Sequence, residues 1–140
     1  MDREDTPQAL VEAWAAAVRA RDADGVVRDH ADDILVFDVV GPVCERGLVA
    51  YRRGWVEQFF PWHGGSGRFE LRDLAVTEGD RVAFATALID CAGTEAGRRV
   101  DFTLRLTIGL EKRGGRWQVV HEHHSEPLPY PVASDDRRGA

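Results

Sequence analysis

The chain has 140 residues, 44% of them hydrophobic, with a formal net charge of −6. That length supplies one hydrophobic core and not two of ordinary size, and the acidic balance speaks against nucleic acid or an anionic membrane as partner, since both require a basic surface. No run approaches the roughly 20 apolar residues of a spanning helix, and "MDREDTPQAL" lacks the basic-then-apolar order of a signal peptide.

Thr6-Pro7 is a helix start: a capping hydroxyl, then proline at the first helical position. Leu10, Val11, Trp14, Ala17 and Val18 recur at helical spacing and predict one apolar stripe. A shorter amphipathic segment carries Val26, Val27 and His30. "ILVFDVVGP" (34–42) is rich in β-branched residues and reads as a short strand stopped at Gly-Pro. A third helix follows Gly47, with Leu48, Tyr51, Trp55 and Phe59 along one face and Pro61 closing it. From Arg68 the pattern becomes strands. "FELRDLAVT" and "RVAFATALIDC" flank Glu78-Gly79-Asp80, and "VDFTLRLTIGLEKR" and "WQVVHEHHS" flank Gly114-Gly115, two hairpin signals. Helices first and antiparallel strands afterwards predict an α+β domain, with helices on one face of a curved sheet. One domain is expected over 1–130, and the polar stretch 131–140 reads as a loose tail. Cys44 and Cys91 have no metal spacing and read as free thiols of a cytoplasmic protein.

A two-residue Gly-Gly turn predicts the pairing of the last two strands. Arg113 faces Arg116, Leu110 faces Val119, Ile108 faces His121, Thr107 faces Glu122 and Arg105 faces His124. By alternation, one face carries Leu104, Leu106, Ile108, Leu110, Trp117 and Val119, ending in His121 and His123. The other carries Thr103, Arg105, Thr107, Gln118, Val120, Glu122 and His124. Taken alone, this division means core on the first face and solvent on the second, with Arg105, Glu122 and His124 an exposed charge ladder of little energetic weight.

Two strings support a different reading. "HADDILVFDVVGPVCERGLVAYRRGW" and "GRWQVVHEHHS", in this order and spacing, resemble the nuclear transport factor 2-like superfamily, with SnoaL-like polyketide cyclases and ketosteroid isomerases as the nearest groups. The closing strand is also similar to the end of the association domain of calmodulin-dependent kinases. The resemblance covers residues 7–128. It implies a cone-shaped, cystatin-like α+β roll, three N-terminal helices closing over a strongly curved, mainly antiparallel sheet. It also implies a pocket on the concave face and a homodimer through the convex face. On that basis Leu104, Leu106, Ile108, Trp117 and Val119 belong to the convex interface, since an uncovered apolar face of that size would be adhesive. Arg105, Thr107, Val120, Glu122 and His124 then line the pocket.

The resemblance also assigns roles. Asp38 matches the proton-shuttling aspartate of ketosteroid isomerases, and a carboxylate in a mostly apolar pocket gains basicity. Trp14 stands where those enzymes place an oxyanion-hole tyrosine, His30 and Trp55 stand at two supporting tyrosines, and Thr107 stands at a protonated aspartate. The expected catalytic residues are therefore Asp38 as base with His30 or His124 as proton partner. Trp14, Tyr51, Trp55, Phe59, Arg105, Thr107, Val120 and Glu122 would contact substrate. Each has a plainer reading: Asp38 a strand-end acceptor, His30 a helix-end histidine, the aromatics simple core, and Arg105 with Glu122 and His124 an internal salt bridge. His121 and His123 have the spacing of a metal pair, but too little chain follows to complete a site, so no metal and no cofactor is expected. Two functions follow. One is cofactor-free acid–base chemistry, as in an isomerase, cyclase or dehydratase, on a small apolar or aromatic carbonyl compound. The other is a non-catalytic ligand-binding or oligomerisation module of the same fold.

Overall fold

Thr6 starts the first helix as its hydroxyl predicts. Its Oγ1 accepts the Ala9 N–H at 3.1 Å, Pro7 takes the first helical position, and α1 runs Pro7–Arg19. A cap of this kind is worth about 1 kcal/mol. The stripe Leu10, Val11, Trp14 and Val18 is buried. The computed structural model describes residues 5–130, so the tail read as loose lies outside the described residues. A five-residue helix α2 (Ala23–Val27) follows, capped by the Asp22 carboxylate. β1 runs His30–Phe37, so His30 opens a strand rather than ending a helix. β2 is the short Glu45–Arg46, and α3 runs Leu48–Gly54.

The third helix does not close at Pro61. After α3 comes a π-helical turn, Trp55–Phe59, and then α4, Phe60–His63, with Pro61 inside its first turn. Proline lacks an N–H and its ring crowds the carbonyl four residues back. The π turn shifts the bonding, with the Phe60 N–H reaching the Trp55 carbonyl, so the rod continues past the proline. It stops at Gly64, whose φ of +63° suits glycine.

The remaining strands are β3 (Arg68–Glu78), β4 (Val82–Glu95), β5 (Arg98–Arg113) and β6 (Arg116–Ser125). They join one six-stranded sheet of order β2-β1-β6-β5-β4-β3, antiparallel except where β1 runs parallel to β6. α1 packs on β3 and β4, α3 on β1, and α4 on β4. On β4, Ala83, Ala85, Ala87, Ile89 and Cys91 alternate inward and are buried, and the short alanines leave room for the helix. No helix among the described residues is long and apolar enough to cross a membrane.

The last hairpin departs from the expected register. Arg113 faces Arg116 and Leu110 faces Val119, as the Gly-Gly turn predicts, but then the ladder slips: Gly109 faces His121, Ile108 faces Glu122, Thr107 faces His123 and Leu106 faces His124. Val120 is the extra residue of a β-bulge, and on β6 every side chain beyond it changes face, while β5 alternates without a break. The helices cover the apolar face of the hairpin, which corrects two expectations. Leu104, Leu106, Ile108, Leu110, Trp117 and Val119 form the core under the helices, not a convex subunit interface. Arg105 and Thr107 lie exposed on the outer face, where Arg105 Nε donates to Ser125 Oγ at 3.0 Å. Glu122 and His124 nevertheless point inward and are buried. Apolar side chains take the covered face because burying each is worth about 1.5–3 kcal/mol, far more than an exposed ion pair returns.

Candidate functional site

Glu122 is the centre of the interior. It is fully buried, and its carboxylate receives three hydrogen bonds. His30 Nε2 donates to Oε2 at 2.5 Å, the Tyr51 hydroxyl donates to the same oxygen at 2.7 Å, and His124 Nε2 donates to Oε1 at 2.9 Å. A carboxylate has only acceptors, so both ring nitrogens must carry hydrogen. Tyr51 in turn accepts from Trp14 Nε1 at 2.9 Å. The chain of bonds thus ties α1, β1, α3 and β6 together around one buried charge. His30 Nδ1 is buried without a partner among the described residues.

The electrostatics follow from this geometry. Burial by itself would raise the Glu122 carboxyl above its ordinary 4.5. Hydrogen bonds from His124 and His30, and then their charge, pull it down to about 2. Burial opposes charge on His124 as well, but the Glu122 hydrogen bond and charge, together with the Asp38 charge, hold it above its ordinary 6.5. Burial and the Glu122 charge push the Tyr51 hydroxyl well above 10, so it stays a donor. Both shifts favour an ion pair, Glu122 with His124, satisfied on both carboxylate oxygens.

The pair opens on a cavity of about 410 Å³ between the helical rod and the sheet. Tyr51, Trp55, Phe59, Trp62, Phe69 and Phe102 form its walls. The rings meet mainly edge to face: Trp55 with Phe59 at 4.9 Å and Phe59 with Phe69 at 5.5 Å between centroids, a geometry worth about 0.5–1.5 kcal/mol per pair. Cys91 also faces the cavity, but burial pushes its thiol up to about 12, which makes it a poor nucleophile. Asp38, Glu45, Glu95 and Glu126 line the mouth.

Asp38 reaches this cavity by register. In the parallel pairing of β1 with β6, Val36 faces Glu122 and Phe37 faces His123. The next step sets Asp38 level with His124, on the same inner side. Asp38 is exposed at the mouth, and its Oδ1 accepts the Val39 N–H at 2.7 Å.

Of the residues expected at the site, Asp38, Tyr51, Trp55, Phe59, Glu122 and His124 line the cavity. His30 stands behind it, bonded to Glu122. Trp14 is a correction: it lies in the core behind the wall, edge-on to Trp55 and Phe69, and acts through Tyr51. Arg105, Thr107 and Val120 are corrections as well and line no part of the cavity: the first two alternate with the buried Leu104, Leu106 and Ile108 on β5, and Val120 is the unpaired residue of the bulge. His121 and His123 sit on the outer side against Phe37, with rings 6.3 Å apart, and His121 Nδ1 donates to the Leu35 carbonyl at 2.7 Å. Among the described residues no three His, Cys, Asp or Glu side chains converge as a metal would require. Sequence reasoning missed Trp62, Phe69, Phe102 and Glu95. Gly93 was the available signal for Trp62, since a Cβ there would lie 2.2 Å from the Trp62 ring.

Residues 8–131 match the family model of the SnoaL-like domain. The chain belongs to that family. This SnoaL-like domain shares the nuclear transport factor 2-like, cystatin-like fold of its structural neighbours. A nuclear transport factor 2-like protein of unknown function from Pseudomonas putida is 35% identical, with a TM-score of 0.77 over 87% of this chain and 84% of its own. An uncharacterised protein with a cystatin-like fold from Caulobacter vibrioides is 22% identical, TM-score 0.75, over 87% of each chain. The calmodulin-dependent kinase II hub of S. rosetta is 18% identical, TM-score 0.72, over 86% of this chain and 93% of its own. No curated protein matches the chain significantly.

Proposed function

We propose that this SnoaL-like domain performs cofactor-free acid–base chemistry on a small apolar or aromatic carbonyl compound held in the aromatic cavity. The observation that carries the proposal is the buried Glu122–His124 pair on the cavity wall, with Asp38 level with it at the mouth. Glu122 occupies Nε2 of His124, which leaves Nδ1–H to donate to a substrate oxygen. Asp38 then removes a proton from the carbon beside the carbonyl, and His124 stabilises the enolate by that hydrogen bond. Return of the proton to another carbon gives isomerisation, with no atom gained or lost. Arg105 and Thr107 have no part in this scheme.

The experiment is exchange of deuterium from solvent into carbonyl compounds bound to the wild type, to Asp38→Asn and to His124→Gln, followed by NMR. Exchange in the wild type, lost in both variants, supports the reading. Compounds that bind all three proteins without exchange in any would remove it and leave a ligand-binding module. The binding reading has its own support, because the interior charge is already satisfied within the protein.

Self-association belongs to the same proposal, now through the outer sheet face as the structure defines it, with the half-exposed Phe84 and the Phe37, His121 and His123 cluster. The likeness to a hub domain favours it. Sedimentation as a monomer at micromolar concentration would remove this part.

A further inference from the structure

The mouth of the cavity carries four carboxylates, Asp38, Glu45, Glu95 and Glu126, and no lysine or arginine among the described residues lines it. None of the four has a cationic partner among the ion pairs of the described residues. The interior charge does not offset them, because Glu122 is matched by His124. A cleft with low-dielectric walls and charge of one sign at its mouth focuses its field on the entrance. Aromatic faces attract cations in addition, and more strongly where water is excluded. One carboxylate is anchored to the aromatic wall: Trp62 Nε1 donates to Glu95 Oε2 at 3.0 Å. A second, independent feature points to a ligand. His124 is 6% exposed and lines the cavity, and its one free ring nitrogen has no protein partner among the described residues.

We infer that the cavity takes a small organic cation: an amine or quaternary ammonium with an apolar or aromatic body and a hydrogen-bond acceptor at the far end. The cationic end sits at the carboxylate mouth, the body against Trp55, Phe59 and Trp62, and the acceptor against His124. Anions of the same size are repelled. The inference deepens the proposed function, resting on its assignment of the cavity as the ligand site and not on catalysis.

The test uses three probes with one body, each with a para-acetyl group as the far acceptor: 2-phenylethylammonium, 2-phenylethanol and phenylacetate. Binding to the full chain is read by tryptophan fluorescence and calorimetry at low and high salt. The cation should bind about tenfold tighter than the alcohol, a difference of about 1.4 kcal/mol, and the acid weakest. The advantage should shrink in high salt. Glu45→Gln with Glu126→Gln, two mouth positions that do not bond the aromatic wall, should remove most of the cation advantage with little change in the affinity of the alcohol. Equal affinity for cation and alcohol, tighter binding of phenylacetate, or failure of all three at millimolar concentration would overturn the inference. The outcomes separate from those of the exchange experiment. A cation preference without deuterium exchange keeps this inference and removes the catalytic reading, whereas exchange into neutral carbonyl compounds without a cation preference does the reverse.

Discussion

Val119 and Glu122 both turn under the helices and both are fully buried, although an odd number of positions separates them. A regular strand would set them on opposite faces. The bulge at Val120 removes the conflict, and with it a strand that begins in the apolar core ends in the polar centre of the cavity.

Deleting Val120 should therefore leave a regular ladder in which Val119 and Glu122 stand two positions apart on one face, with Glu122 still opposite Ile108 and His124 opposite Leu106. His30 and Tyr51 would keep their buried partner, and His121 and His123 would stay outside. The expected result is a folded protein that retains the pH dependence of the Glu122–His124 pair, checked by circular dichroism and urea denaturation. A deletion variant that unfolds, or loses that dependence, would contradict this pairing.

The Glu122–His124 pair sets the pH dependence of stability. The folded Glu122 carboxyl lies at about 2 against an ordinary 4.5, so between those values the unfolded chain binds more protons. Its contribution is complete above pH 4.5 and falls as pH drops toward 2, by roughly 3 kcal/mol at about 1.4 kcal/mol per unit. His124 is shifted upward from 6.5, so its share is complete below that value and is lost as pH rises through the folded value. The two describe one interaction, and stability should peak between about 4.5 and 6.5. Urea denaturation across pH reads this directly. Glu122→Gln should flatten both limbs and cost about 3 kcal/mol near neutrality, as loss of one member of a buried pair does.

Gly93→Ala should disturb the cavity without touching a charged group. The new methyl would lie 2.2 Å from the Trp62 ring, which must move. Overpacking of this kind costs about 1–3 kcal/mol. The Trp62 bond to Glu95 should break, with a shift in tryptophan emission. Unchanged emission and melting temperature would contradict the close packing of ring and strand.

Arg105→Ala and Thr107→Ala give the complementary result. Both residues are exposed on the outer face, so stability should change by no more than about 0.5 kcal/mol and binding of any cavity ligand should not change. Loss of ligand affinity in either variant would mean that this part of β5 faces the cavity.

The elements themselves were legible in the chain. Thr6-Pro7 starts α1, the stripe through Trp14 lies in the core, and Gly79 and Gly114-Gly115 turn hairpins. These features depend on backbone chemistry and short-range periodicity, which residues a few positions apart determine. Tyr51, Trp55, Phe59, Glu122, His124 and Asp38 were likewise readable as cavity residues.

What the local pattern could not supply was the face that the end of β6 presents. Extrapolating two-residue alternation from Gly114-Gly115 sets Glu122 and His124 on the face of Arg105, opposite the apolar residues. One unpaired residue moves both to the apolar face without altering the composition of either strand. Gly109, an isolated glycine inside a strand pattern, was the one local hint of a bulge. The choice of register belongs to the tertiary structure, because it minimises the apolar area left in water while giving Glu122 partners from two other elements, β1 and α3. His30, Tyr51 and Trp14 are up to 92 residues from the groups they bind or support. Sequence by itself determined which segments are helix and strand and which residues have the chemistry for a site. Only the packing of helices on the sheet decided which of those residues meet, since burying a carboxylate requires donors that no single segment contains.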